Sequence, residues 1–278
     1  MHTIIINNET CINCEKCVTI CPKQVYKSFE SYTIPAHPDI CISCLHCMAV
    51  CPTNSIVFQN NNTDSIENLK SFDVTNFDNF LSSIRSVRHF KNTLIDNLTI
   101  NNLIKIAKQA PAASNWRTSD ILIISDSSKI SSMEKITIAH FKKLLSLFNP
   151  FIINILGIFR SSLKNYLLKN KPSILQLIDK YEQGHNPVFH NAPHVAVFYG
   201  PSVNKLSKDN CDAMMHYFRI YAHSLGIGSC IIGYAYNARK DLKKFLDLPK
   251  EYDVFGFIIF GYPLLSFRKA IIRQNYLK

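Results

Sequence analysis

The sequence has no apolar run long enough to cross a bilayer. The most apolar-rich stretch, FIINILGIF at 151–159, is under half of the ~20 residues a spanning helix needs. The N-terminus, MHTIIINNET, has only three consecutive apolar residues, short of a secretory leader. The expectation is a cytoplasmic protein with no membrane span. Glycine is also scarce, at 8 residues, and the nucleotide loops that depend on it are missing. G-I-G-S-C-I at 226–231 lacks the third glycine of G-x-G-x-x-G and follows a helical stretch, and no G-x4-G-K-[ST] occurs. Neither a Rossmann dinucleotide site nor a P-loop is supported. Ten histidines are present without H-E-x-x-H or a similar set. His216 and His223, on one helix face, read as packing or interface residues.

The remaining composition is that of a globular protein of roughly two domains, with 47% hydrophobic and 18% charged residues in 278. Lys and Arg number 31 against 20 Asp and Glu, a formal charge of +11. Its distribution is uneven. Residues 1–60 hold three lysines and four acidic residues, net −1, which leaves +12 for the rest. The basic excess is not read as a nucleic-acid surface.

Eight of the ten cysteines fall in the first 51 residues. Cys11, Cys14, Cys17 and Cys21-Pro22 follow C-x2-C-x2-C-x3-C-P, and Cys41, Cys44, Cys47 and Cys51-Pro52 repeat it. Three thiolates on a tight loop can reach three irons of a cubane, and the fourth cysteine, expected to begin a helix, points at the other cluster. Paired C-x2-C motifs also make zinc sites, but zinc has no use for a third cysteine at the same interval and a fourth before proline. A disulfide framework does not suit a reduced compartment. The segment resembles bacterial two-cluster ferredoxins at all eight ligand positions. That logic assigns Cys11, Cys14, Cys17 and Cys51 to one [4Fe-4S] cluster and Cys41, Cys44, Cys47 and Cys21 to the other. With about −2 on each cluster and its thiolates, the loaded chain falls to about +7.

The polar stretch after SIVF (55–58) has no hydrophobic period and reads as a linker, giving domains at 1–60 and 77–278 joined by 61–76. Strand signals occur at 121–125, 195–199 and 254–260, interleaved with helical periods. The clearest helix runs from Ser207, a plausible N-cap, to Gly226 at C′, with Cys211, Met214, Met215, Phe218, Ala222 and Leu225 on one stripe. Residues 142–171 are basic and apolar with no acidic residue, and read as a helical excursion with a solvated basic face, or as a lid or docking surface.

Beyond the linker, I-R-S-V-R-H-F at 84–90, A-P-A-A-S-N at 110–115, A-H-S-L-G-I-G-S-C-I-I-G at 222–233 and F-G-Y-P at 260–263 occur in one order. In order and spacing they resemble the nitroreductase family of FMN enzymes, over about 77–278, and in particular members with an N-terminal two-cluster ferredoxin domain. The resemblance implies an α+β chain: a small ferredoxin-like domain, then a nitroreductase-like α/β sandwich that dimerises. Guanidinium forks and a hydroxyl match phosphate oxygens, so Arg85, Ser86 and Arg88 are the expected grip on FMN. Ile84 stands where the family has a first arginine, and Arg268 is the expected supplement, with Lys269 and Arg273 behind it.

The resemblance also places Ala113, Ser114, Asn115 and Arg117 against flavin from the other subunit. Here N-x-Q-P-W becomes Asn115-Trp116-Arg117-Thr118-Ser119. Cys230, Ile231, Ile232 and Gly233 match the loop beside the isoalloxazine whose backbone N–H faces N5. Cys230 reads as a small buried residue rather than a catalytic thiol.

The implied function is an oxidoreductase in which the flavin, and no acid–base side chain, carries the chemistry. Electrons would pass through two [4Fe-4S] clusters to FMN and on to an organic acceptor such as a nitro-compound or quinone. The expected donor is a ferredoxin or flavodoxin-type carrier. A redox sensor or electron store without turnover is the other class the sequence allows.

Overall fold

The structure is a computed structural model that describes residues 3–59, 76–146, 161–265 and 267. Apart from Asn76 the expected linker lies outside the described residues, as do 151–159, Arg268, Lys269 and Arg273. The described residues divide into two compact units: 3–59 with Ser114–Trp116, and 76–113 with the remainder from 117.

In the first unit each cysteine repeat contributes a strand, a short helix and a strand. These are β1 (Thr3–Ile6), α1 (Lys16–Ile20) and β2 (Tyr26–Ser28), then β3 (Thr33–Pro35), α2 (His46–Val50) and β4 (Ile56–Gln59). β1 pairs antiparallel with β4, and β2 with β3, so the strands of one repeat pair with those of the other. Contrary to expectation, the fourth cysteine ends a helix rather than beginning one. Cys17 and Cys47 lie inside α1 and α2, while Cys21 and Cys51 are their C-caps in extended conformation. The following proline explains this, because it disfavours helical backbone in the residue before it. The apolar core is small, built on Ile4, Val25, Tyr26, Leu45, Ile56 and Phe58. A domain of this size gains little from such a core alone.

The second unit holds α3 (Phe77–Ser83), α4 (Asn97–Ala107), β5 (Asp120–Ile124), α5 (Ser127–Ser146), α6 (Ser161–Glu182) and β6 (His194–Pro201). It continues with α7 (Ser207–Ser224), β7 (Gly228–Ile231), α8 (Gly233–Asn237), α9 (Arg239–Phe245) and β8 (Tyr252–Gly261). The sheet order is β5-β6-β8-β7, antiparallel throughout, and the unit is α+β.

Both faces of the sheet are covered, so β6 and β8 are apolar along their length instead of alternating with polar residues. Val195, Val197, Phe257 and Ile259 pack with Met133, Ile138 and Leu177 of α5 and α6. Ala196, Phe198, Ile258 and Phe260 face the other way, onto Leu103 of α4 and Met214 and Phe218 of α7.

Two details of α7 depart from expectation. Leu206, not Ser207, is the N-cap, because the Ser207 hydroxyl donates to Pro201 O (2.8 Å) instead of capping. Leu225, expected on the buried stripe, is 42% exposed, since the chain turns at Gly226 with φ 72°. His223 does pack, against the Phe80 ring and 2.6 Å from Ser83 Oγ.

Candidate functional site

The eight N-terminal thiols line two cavities in crossed sets. Cys21, Cys41, Cys44 and Cys47 border one, and Cys11, Cys14, Cys17 and Cys51 the other. Each cavity takes three cysteines from one loop and the C-cap cysteine of the other repeat. Among the described residues no three His, Cys, Asp or Glu side chains converge as a single-ion site, so the thiols border the cavities without meeting at a point.

The backbone bends around each cavity the same way. Asn13, Glu15 and Gln24 have left-handed φ, and so do Ser43, Leu45 and Asn54 at matching positions of the second repeat. A non-glycine residue in that region costs on the order of 1 kcal/mol or more, so the bend is imposed by its surroundings. It turns N–H groups toward sulfur. Ser43 N donates to Cys41 Sγ (3.4 Å), Val25 N to Cys21 Sγ (3.4 Å) and Ser55 N to Cys51 Sγ (3.3 Å). Tyr26 Oη donates to Cys47 Sγ at 3.0 Å.

Burial raises the pKa of Cys17, Cys41 and Cys47. Burial acts the same way on Cys51, but hydrogen bonds from Thr53 and Ser55 outweigh it and its pKa is lowered. Thiol donors flanked by N–H and O–H groups fit iron–sulfur clusters, whose charged sulfurs take such bonds.

In the second unit a backbone bridge joins two distant parts of the sequence. Ser86 pairs with Ser229 and Val87 N donates to Ser229 O (3.1 Å). Gly228 allows the approach, because a Cβ there would come within 2.8 Å of the Val87 side chain. The bridge sets Arg88 beside the turn from β7 into α8. Arg88, His190, Ile231, Gly233 and Tyr234 border an open cavity of about 310 Å³, with Cys230 and Ile232 behind. Arg88, His190 and Tyr234 also border a second cavity of about 540 Å³, so the two form one cleft.

Cys230 is 1% exposed and its thiol donates to Ile231 O, the environment of a packing residue. Ile232 N donates to Phe257 O (2.9 Å), so this N–H of the 230–233 turn is already engaged. Ile231 presents apolar surface to the cleft. Arg85 donates from Nη1 to Ile84 O (2.7 Å).

Of the expected site residues in this unit, Arg85, Ser86, Ala113 and Arg117 are not among those bordering this cleft. Ala113 N donates to Asn210 Oδ1, Ser114 and Asn115 take left-handed φ, and Arg117 is exposed. Asn115 belongs with the first unit, donating from Nδ2 to the carbonyls of Ile42 (2.9 Å) and Ser43 (3.0 Å).

Sequence reading missed His190, Tyr234, Lys180 and His185, which border the cleft, and Glu134, which holds its rim. Glu134 is buried on α5 and accepts the backbone N–H of Val188 and Phe189, both at 2.9 Å. This fixes the following turn, where His190 and Asn191 have φ 54° and 52°. Burial pushes the His190 pKa down to about 4, with Arg88, His89 and Lys180 adding to the effect.

Residues 81–262 match the nitroreductase family, and residues 3–52 match a 4Fe-4S dicluster domain. No curated protein matches the chain. Solved structures share the fold at low identity. A nitroreductase with bound FMN from Desulfitobacterium hafniense is 16% identical, covering 74% of this chain and 100% of its own, with a TM-score of 0.52. One with bound FMN from Bacteroides fragilis is 15% identical over 72% and 93%, at 0.51. An FMN-dependent nitroreductase from Mycobacterium smegmatis, solved in complex with NADPH, is 18% identical over 68% and 87%, at 0.51. With nearly two thirds of its length inside the family match, the chain belongs to the nitroreductase family of oxidoreductases and carries a 4Fe-4S dicluster domain at its N-terminus.

Proposed function

We propose that the chain is a cytoplasmic, homodimeric oxidoreductase that binds two [4Fe-4S] clusters and FMN and delivers electrons to an organic acceptor such as a nitro-compound or quinone. One observation carries the reading: Arg88 and the Cys230–Gly233 turn, far apart in sequence, border one open cleft in a chain that also has two crossed four-thiol cavities. When bound, the clusters supply one-electron steps and the flavin supplies a two-electron exchange with an organic molecule.

The side chains bind and orient. Cys11, Cys14, Cys17 and Cys51 would hold one cluster, and Cys21, Cys41, Cys44 and Cys47 the other. Arg85 and Ser86 would meet the flavin phosphate and ribityl chain, and Arg88 the polar edge of the ring. Ile231 offers the ring an apolar surface. Ala113, Ser114, Asn115 and Arg117 would serve the site of a second copy. Arg268 remains a candidate for the phosphate.

The M. smegmatis enzyme was solved with NADPH, but we assign this chain a ferredoxin or flavodoxin-type donor, because its own one-electron carriers would be redundant for a hydride acceptor. The test is metal and flavin analysis of anaerobically purified protein, followed by rapid mixing of the reduced form with a nitroaromatic. About eight irons and one FMN per chain, with fast reoxidation, are expected. Stoichiometric zinc without iron, or reduced protein indifferent to acceptors, would refute it.

A further inference from the structure

The larger lobe of the cleft has a chemical character of its own. Its volume of about 540 Å³ suits a small organic molecule. Arg88, His89, Lys180, His185 and His190 all border it, and among the described residues no acidic one does. The acidic groups nearest in the chain are engaged elsewhere: Asp179 accepts from Gln183 (2.9 Å) and Glu182 pairs with Lys142 (2.8 Å). Glu134, beneath the rim, spends both oxygens on Val188 N and Phe189 N.

A second observation marks the lobe as a place for a polar ligand. Asn186 also borders the lobe, and its buried Oδ1 has no hydrogen-bond partner among the described residues. An anion has only acceptor oxygens, so the part of this residue that can bond it is the amide NH2, which a 180° turn of the terminal amide can bring to face the lobe.

We propose that this lobe is the subsite for a negatively charged group, a carboxylate or phosphate, on the organic acceptor. The acceptor of this enzyme is then an anion, with its reducible part directed at the Arg88–Gly233 lobe and its charged end among Lys180, His185 and Asn186. The inference rests on the flavin occupying the smaller lobe. His190, held mostly neutral by burial and its cationic neighbours, serves as a hydrogen-bond partner, while Lys180 supplies the charge.

The experiment uses the intact oxidised holoprotein and two matched probes, 4-nitrobenzoate and its uncharged methyl ester, with binding followed by calorimetry. The carboxylate should bind more tightly than the ester, and its advantage should shrink as salt rises. In the Lys180→Gln/His185→Gln double variant the carboxylate should lose roughly tenfold in affinity and the ester should change little. Flavin and iron content should match the parent.

Equal binding of the two probes by the parent, or equal losses in the variant, overturns the proposal. So does a variant that purifies without its flavin, since the lobe would then hold the cofactor's own phosphate. A parent that lacks flavin yet keeps the charge preference refutes the FMN assignment while sustaining the anion subsite.

Discussion

Glu134 Oε2 accepts the backbone N–H of Phe189 at 2.9 Å, so a carboxylate only 2% exposed fixes the chain one residue before His190. Burial raises its pKa from the ordinary 4.5 to about 7, against the opposing effect of the hydrogen bonds from Phe189 and Val188. The folded chain therefore holds this proton more tightly than the unfolded chain does. The associated stability is fully present below about pH 4.5 and is lost as pH rises through about 7, in total on the order of 3 kcal/mol.

Glu134→Gln removes the titration and leaves one of the two backbone donors facing an amide NH2. The variant should be less stable than the parent at pH 5.5 by about 1–3 kcal/mol. The gap should narrow by pH 8.5. Thermal unfolding of both proteins across that range checks it, and parallel pH curves would count against the assignment.

Cluster wiring gives the second prediction. Cys51 lies in the same repeat as Cys41, Cys44 and Cys47 but borders the cavity of Cys11, Cys14 and Cys17. Cys51→Ala should therefore damage the cluster bound by the first loop, and Cys21→Ala the other. Iron content of each variant with electron paramagnetic resonance of the reduced protein checks it. Loss of the same cluster signal in both variants would refute the crossing.

The cysteine spacing made this arrangement legible, because thiol chemistry at fixed intervals allows few alternatives. Strands β5, β6 and β8 were legible too, as β-rich runs at 121–125, 195–199 and 254–260. The four-residue β7 was not, since Gly228-Ser229-Cys230-Ile231 has little strand propensity and depends on pairing with β8. The cationic lobe was illegible for a different reason. Arg88, Lys180, His185 and His190 follow no periodicity, and His190 sits in a left-handed turn held by a carboxylate on another helix.

Tyr26 supplies the third prediction. Its hydroxyl donates to Cys47 Sγ at 3.0 Å, and burial with that bond holds its pKa far above the ordinary value. A bond to sulfur favours the more negative, reduced cluster. Tyr26→Phe should lower the potential of the cluster bound by Cys47 by about 20–40 mV, the one-electron equivalent of somewhat under 1 kcal/mol. The other cluster should be unaffected. Spectroelectrochemical titration of the two clusters decides it, and unchanged potentials would mean the bond is absent from the loaded protein.

Arg85 carries the fourth. A charge-assisted contact to phosphate typically contributes about 1.5–3 kcal/mol, or one to two decades in affinity. Arg85→Ala should lose flavin on dilution while keeping its iron, and Arg268→Ala should do so if that residue completes the grip. Flavin released on ultrafiltration is the measurement. Retention equal to the parent in both variants would remove these arginines from the site.

The last prediction concerns the electron source. The chain has no dinucleotide loop, and its N-terminal unit brings eight thiols into two cavities suited to one-electron carriers. A flavin loaded by hydride would need neither cluster. Ferredoxin-type clusters commonly sit at low potential, so the matching donor is another low-potential one-electron carrier. Such carriers are usually acidic, and a chain at about +7 after cluster charge should attract them. Reduction should therefore be faster at low ionic strength. Reduced ferredoxin should support acceptor reduction by the parent at a rate that falls several-fold between about 0.05 and 0.5 M salt, with NAD(P)H much slower throughout. In a Cys14→Ala/Cys44→Ala variant, which loses a ligand from each thiol set, the ferredoxin-driven rate should collapse while bound flavin remains. Fast NAD(P)H turnover that survives in that variant would place electron entry at the flavin itself and defeat the cluster route, leaving the FMN assignment intact.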